Sequence, residues 1–288
     1  MRPPGGVIDP RGGARDLTTR GADRQTADVT RSRLLHLLPL SAFHAAADHI
    51  GSPSLETDGF VHCSPDMATA LAVANALYAD ADEQLVALEL DPRRLSAPVR
   101  WEAAAPHPPA GVAADVLFPH VYGSLERSAV IGLHYARRDV RGRFAALETR
   151  SRTAEELNLL PHPEGGWFRR TWTSDVEVTP DERGTRPTAT AIYYLLSAGH
   201  TSEWHRIGSA ELWLWHRGGP LTLVLGGDGD APAEQPRNHV LGAGAGQDPQ
   251  VLVPAGTWQR AVASATVESL ATCVVSPGFD FADFSTPG

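Results

Sequence analysis

The stretch Gly199–Gly218, G-H-T-S-E-W-H-R-I-G-S-A-E-L-W-L-W-H-R-G, decides the fold. Two glycines bound it, and between them lie histidines, tryptophans and a carboxylate. Read as strands, alternate side chains share a face. Glu211, Trp213 and Trp215 then point one way, and Leu212, Leu214 and His216 the other. A carboxylate on an aromatic strand face costs several kcal/mol if buried and unpaired, roughly the desolvation of an ion. Glu211 therefore needs a partner, and His205, across the turn Ile207-Gly208-Ser209, is the first candidate.

Working outward, the second half of the chain is a series of short strands separated by Gly- and Pro-rich turns. They run Trp167–Trp172, Ala189–Leu196, Glu203–Ile207, Glu211–His216, Leu221–Leu225, His239–Leu241, Gln250–Val253, Gln259–Ala263 and Val267–Val275. Such a series predicts a sandwich or barrel. A short helix from Thr153, with Glu155 and Glu156 in its first turn, leads into it and ends at Pro161-His162-Pro163-Glu164-Gly165-Gly166. His162, His200 and His239 read as loop residues, and His216 as lying outside the barrel.

The first half reads differently. Residues 1–30 carry almost no periodic apolar content and are expected to be a disordered leader. Residues 33–138 alternate short strands with helices, an α+β pattern. Leu34–Leu38 and Leu85–Leu90 are apolar strands, and Asp66–Tyr78 is an Ala/Leu-rich helix. Ser41 reads as the cap of a further helix over 41–48. The Arg-rich segment 139–152 is expected to be a linker, followed by the all-β domain at 153–285.

Composition excludes several classes. Of 288 residues 42% are hydrophobic, enough for two packed domains. All 25 basic residues are Arg, so a Schiff-base or P-loop lysine is excluded. The net charge is −9, with 9 Arg against 16 acids after residue 150, which argues against nucleic acid as a partner. No apolar run reaches membrane-spanning length, and two cysteines make no secreted disulfide framework. A cytoplasmic location is the expectation.

The spacing around Gly199–Gly218 resembles the first motif of the cupin superfamily, with Ile207 in place of one histidine. Pro254-Ala255-Gly256-Thr257-Trp258-Gln259 resembles the second motif, with Gln259 where a histidine usually stands. Pro163-Glu164-Gly165-Gly166-Trp167, Trp204-His205-Arg206 and Glu211-Leu212-Trp213 resemble the branch called domain of unknown function 985, over about 152–285. The resemblance implies an all-β cupin jelly roll (a double-stranded β-helix), commonly paired into homodimers. Three readings of its site stay open. A divalent ion, Fe, Mn, Ni or Zn, would be held by His205, Glu211 and Gln259. Alternatively His205, oriented by Glu211, does metal-free acid–base work of the isomerase or epimerase kind. In the third, the pocket only binds a small polar molecule, with Gln259, Trp213, Trp204 and Trp258 as contacts.

Gly59-Phe60-Val61-His62-Cys63-Ser64 and Phe118-Pro119-His120-Val121-Tyr122-Gly123 resemble domain of unknown function 952. That family is grouped by fold with the ADP-ribosyltransferases. The resemblance implies NAD in a cleft, His36 on the nicotinamide ribose, and Glu102 or His120 acting on the glycosidic bond. His62, Ser64 and Tyr122 complete the candidate cluster. Cys63 reads as a buried structural thiol rather than a nucleophile.

Overall fold

The computed structural model describes residues 33–287. The leader expected over 1–30 lies outside the described residues. The chain forms an α+β region followed by a β jelly roll. No helix among the described residues is long and apolar enough to cross a membrane.

In the first region the two leucine-rich segments form the adjacent strands Leu34–Pro39 and Leu85–Leu90 of a four-stranded antiparallel sheet. Val130–Arg138 and Phe144–Glu148 complete it. The helix Met67–Leu77 begins where the Asp66 side chain accepts the Thr69 N–H at 2.7 Å, an ordinary N-cap. It lays Ala70 and Ala74 against Leu35, Leu37, Leu85, Ala87 and Phe144. A separate three-stranded sheet pairs Val61–His62 with Leu117–Val121 and that strand with Val99–Ala103. Two expectations are corrected. Phe144–Glu148, within the expected linker 139–152, is an edge strand of the first sheet, because Phe144 is buried beneath the helix. Ser41 does not cap its helix, Leu40–Ala45; its hydroxyl bonds Glu83 instead.

The jelly roll opposes two sheets. One has six strands, with Thr190–Leu196, Ser269–Ser276 and Ala210–Gly218 as consecutive central members. The other has three, with Leu221–Leu225 between Arg237–Leu241 and Gln259–Ala263. Inward-facing Tyr194, Trp213, Leu221, Leu223, Val253, Ala261 and Cys273 form the core between them. Of the strand expected over Glu203–Ile207, only Arg206–Ile207 forms, pairing with the C-terminal Phe284–Ser285.

The two regions are not separated by a polar gap. Trp167, Leu195 and Leu270 of the jelly roll join Leu34, Leu88 and Tyr135 in one buried cluster. The Tyr135 and Trp167 rings meet edge-on at 5.8 Å.

Candidate functional site

Strand alternation sends Glu211 and Trp213 inward from the central strand, as the period of two requires. Both line a cavity of about 80 Å³ between the sheets. His205 and Ile207 enter from the segment before it. His205 is fixed by its backbone, which bridges Gln259 in both directions at 2.8 and 3.1 Å. The Phe284 ring stacks on its imidazole at 5.5 Å.

The partner of His205 is not Glu211. Its Nδ1 lies 3.0 Å from Glu164 Oε2 and 3.1 Å from the Glu203 carbonyl. Glu164 sits in the turn after Pro161, and a backbone bond from the Glu203 N–H to the Glu164 carbonyl, 2.9 Å, ties that turn to the His205 segment. His162 joins the same cavity from this turn; its Nδ1 accepts the Glu164 N–H at 3.3 Å. His162 is thus a loop residue, as expected, but one that lines the site. Glu164 lies in the phrase Pro163–Trp167 that carries the family resemblance, but as a residue it read only as part of a helix stop.

Glu211 is satisfied elsewhere. Gln259 Nε2 donates to its Oε2 at 2.6 Å, and the Trp213 indole N–H donates to Gln259 Oε1 at 3.1 Å. Gln259 is wholly buried, and both polar atoms of its amide are engaged. It is therefore a support behind Glu211, not a contact lining the cavity. Trp204 and Trp258 are also absent from the lining. Arg260 covers the Trp204 ring and Arg206 the Trp258 ring, at 4.8 and 4.6 Å, and the Trp258 N–H bonds the Gly229 carbonyl. Of the four expected contacts, only Trp213 forms the wall.

These contacts set the charges. Burial opposes protonation of His205, but the Glu164 charge and hydrogen bond, with the Glu211 charge behind them, outweigh it and raise its pKa to about 9. Burial likewise opposes ionisation of Glu164, and the neighbouring His205 and His162 hold its pKa below the usual carboxylate range. Glu211 goes the other way: burial dominates and raises its pKa. At neutral pH the cavity holds an imidazolium–carboxylate pair beside a second carboxyl group of raised pKa. With Nδ1 committed to Glu164, the ring has its Nε2–H left for a ligand. Arg170 lies at the same cavity, as do Phe279 and Phe281.

A divalent metal does not fit this donor set. Ile207 supplies no donor, and the Gln259 carbonyl oxygen already accepts the Trp213 N–H. Among the described residues no group of three or more His, Cys, Asp or Glu is arranged to hold a metal ion.

The N-terminal candidates also converge. His36, His62, Ser64, Glu102, His120 and Tyr122 all line one pocket of about 780 Å³. His120 Nδ1 donates to Glu102 Oε2 at 2.8 Å, and the Tyr122 hydroxyl donates to the same carboxylate at 2.9 Å. His62 Nε2 donates to Asp58 at 3.0 Å, and the buried His36 bonds the His62 carbonyl. The Cys63 thiol is buried, and burial raises its pKa far above the usual range, so it stays a protonated thiol. NAD does not fit this lining: among the described residues it contains no arginine to meet a pyrophosphate, and it presents the Glu102 carboxylate instead.

Comparison with known proteins accords with these two regions. The family described as "Cupin superfamily (DUF985)" matches residues 151–286, and "Protein of unknown function (DUF952)" matches residues 38–133. No curated protein matches the chain. Among solved structures, a hypothetical protein from Leishmania major is 32% identical over 46% of this chain and 83% of its own, with a TM-score of 0.42. A protein from Shewanella oneidensis is 34% identical over 46% and 81%, with a TM-score of 0.41. A Cupin 2 conserved barrel domain protein from Salinispora arenicola is 17% identical over 46% and 90%, with a TM-score of 0.30. The C-terminal region of this chain belongs to the DUF985 branch of the cupin superfamily, and its N-terminal region is similar to the DUF952 family.

Proposed function

We propose that the jelly-roll cavity is a metal-independent acid–base site that moves a proton α to a carbonyl in a small anionic compound. The observation that carries this reading is the division of labour between two carboxyl groups. Glu164 keeps His205 protonated, and Glu211, held separately by Gln259, keeps a raised pKa. A base works best when its pKa approaches the working pH, and an imidazolium is a strong hydrogen-bond donor to a developing enolate oxygen.

The His205 Nε2–H holds the substrate carbonyl oxygen. Glu211 takes the proton from the neighbouring carbon as the enolate forms and returns it from the same face to that carbon. One proton leaves and one arrives, so no co-reactant is required. His205 acts as donor, not base, and Glu164 takes the orienting role expected of Glu211. A cavity of about 80 Å³ admits the reacting end of a ligand. Arg170, beside it, matches an anionic substituent further out.

The test is exchange of α-hydrogen for deuterium in D2O, followed by NMR across a panel of short keto acids and hydroxyketone phosphates. Protein stripped with chelator should catalyse exchange in at least one of them. Glu211→Gln should lower that rate by about 10²–10⁴-fold, the usual worth of a general base. Exchange that needs added metal, or that survives in Glu211→Gln, contradicts the reading, as does inactivity across the whole panel.

A further inference from the structure

The N-terminal pocket is built from one face of a small sheet. Phe118 and His120 alternate along one strand and Tyr122 follows its end, His62 pairs with His120 on one side, and Arg100 and Glu102 lie on the strand at the other. Phe60 closes the group, stacked on His120 with ring centroids 4.1 Å apart and 5.2 Å from Tyr122. The result is a pocket of about 780 Å³ with mostly apolar walls, well within the range that accommodates a metabolite-sized ligand.

Its charge is one-sided. Among the described residues Glu102 is the one Asp, Glu or Arg in the lining, and its side chain is 38% exposed. Its hydrogen bonds come from His120 and Tyr122, and they hold its pKa below the usual carboxylate range. Among the described residues no arginine forms an ion pair with it; the nearby Arg100 guanidinium instead lies 4.3 Å from the Tyr122 ring centroid. Asp58, against His62, adds a second acid at the rim. The groups that face Glu102 are His120, Tyr122 and Arg100, and of these only Arg100 carries a permanent charge. An ionised carboxylate with neutral donors, set among aromatic rings, selects for positive charge.

We propose that this pocket is a second ligand site, independent of the jelly-roll cavity, for an organic cation: an amine or protonated nitrogen base on an apolar body, with Glu102 as its counter-charge and Phe60 and Tyr122 as its aromatic walls. The same features exclude a pyrophosphate-bearing ligand from it.

Calorimetric titration of the full-length protein tests this with four probes: 2-phenylethylamine, 2-phenylethanol, 3-phenylpropionate and ADP-ribose. The amine should bind at least about tenfold more tightly than the alcohol, and the two anions should give no binding heat. The amine should also shift the His62 and His120 imidazole resonances and leave that of His205 in place. Glu102→Gln should weaken the amine by about tenfold or more; the amine–alcohol comparison on unaltered protein needs no variant and stands if that one fails to fold. Equal binding of the alcohol, binding of either anion, undiminished amine affinity in folded Glu102→Gln, or no amine binding up to about 5 mM overturns the proposal.

Discussion

At the scale of single residues, the Glu164–His205 pair governs both the chemistry and the pH range of the jelly roll. The His205 pKa rises from 6.5 to about 9 on folding, so its stabilisation is complete below pH 6.5 and is lost as pH climbs through 9. Glu164 moves down from 4.5, so its contribution is present above pH 4.5 and is lost on acidification. Together they give a stability plateau between about pH 4.5 and 6.5. A shift of this size in a buried group corresponds to on the order of 3 kcal/mol. Thermal melts of the protein should therefore fall as pH rises from 6.5 to about 9 and level off beyond it, where this contribution has been lost. Glu164→Gln should lower the neutral melting temperature and abolish the alkaline fall. An alkaline limb that persists in the variant would assign it to another group. The pairing itself had no local signature. Glu211 lies six positions from His205 and Glu164 lies 41 away, so spacing favoured the wrong carboxylate. Only the backbone tie between Glu203 and Glu164 reverses the choice.

At the scale of elements, the central strand Ala210–Gly218 was readable because its alternation is uninterrupted through Trp215. The glycines bounding the motif were also readable, but their reasons differ. Both adopt positive φ, +73° at Gly199 and +99° at Gly218. A Cβ at Gly199 would sit 3.8 Å from the nearest carbonyl oxygen, whereas at Gly218 it would fall 2.0 Å from the Glu268 carbonyl. Gly199→Ala should thus cost about 1 kcal/mol, for conformation alone, and Gly218→Ala about 3 kcal/mol or more, measured by urea denaturation. Equal costs would contradict this account. The edge strand Phe144–Glu148 was hidden for a related reason. Arginines flank it, and its register depends on a helix some seventy residues earlier, whose Asn75 bonds the Phe144 backbone through both amide atoms.

At the scale of the whole molecule, the two regions were foreseen as separate bodies joined by a polar segment, yet they share a buried core. The apolar residues that join them, Trp167, Leu195 and Leu270, were assigned by pattern to strands of the jelly roll. Nothing in a strand's own alternation says that its outer face meets another domain. Trp167 is 3% exposed and meets Tyr135 edge-on. Scanning calorimetry should show one cooperative transition for the native chain. Trp167→Ala, at a cost of about 3–5 kcal/mol, should split it into two. Two transitions in the native chain would show that the shared cluster does not couple the regions. The coupling leaves the two sites chemically opposite. The jelly-roll cavity carries an imidazolium with Arg170 beside it, and the N-terminal pocket carries a carboxylate hydrogen-bonded by His120 and Tyr122.

An imidazolium–carboxylate pair occupies the place where a metal site would otherwise be built. Titration of the His205 imidazole by 15N NMR, with and without one equivalent of Zn, Mn, Fe or Ni, tests it most directly. The ring should stay protonated up to about pH 9, and metal should not displace its resonances. A ring that titrates near 6.5, or one that coordinates the added ion at neutral pH, would contradict it.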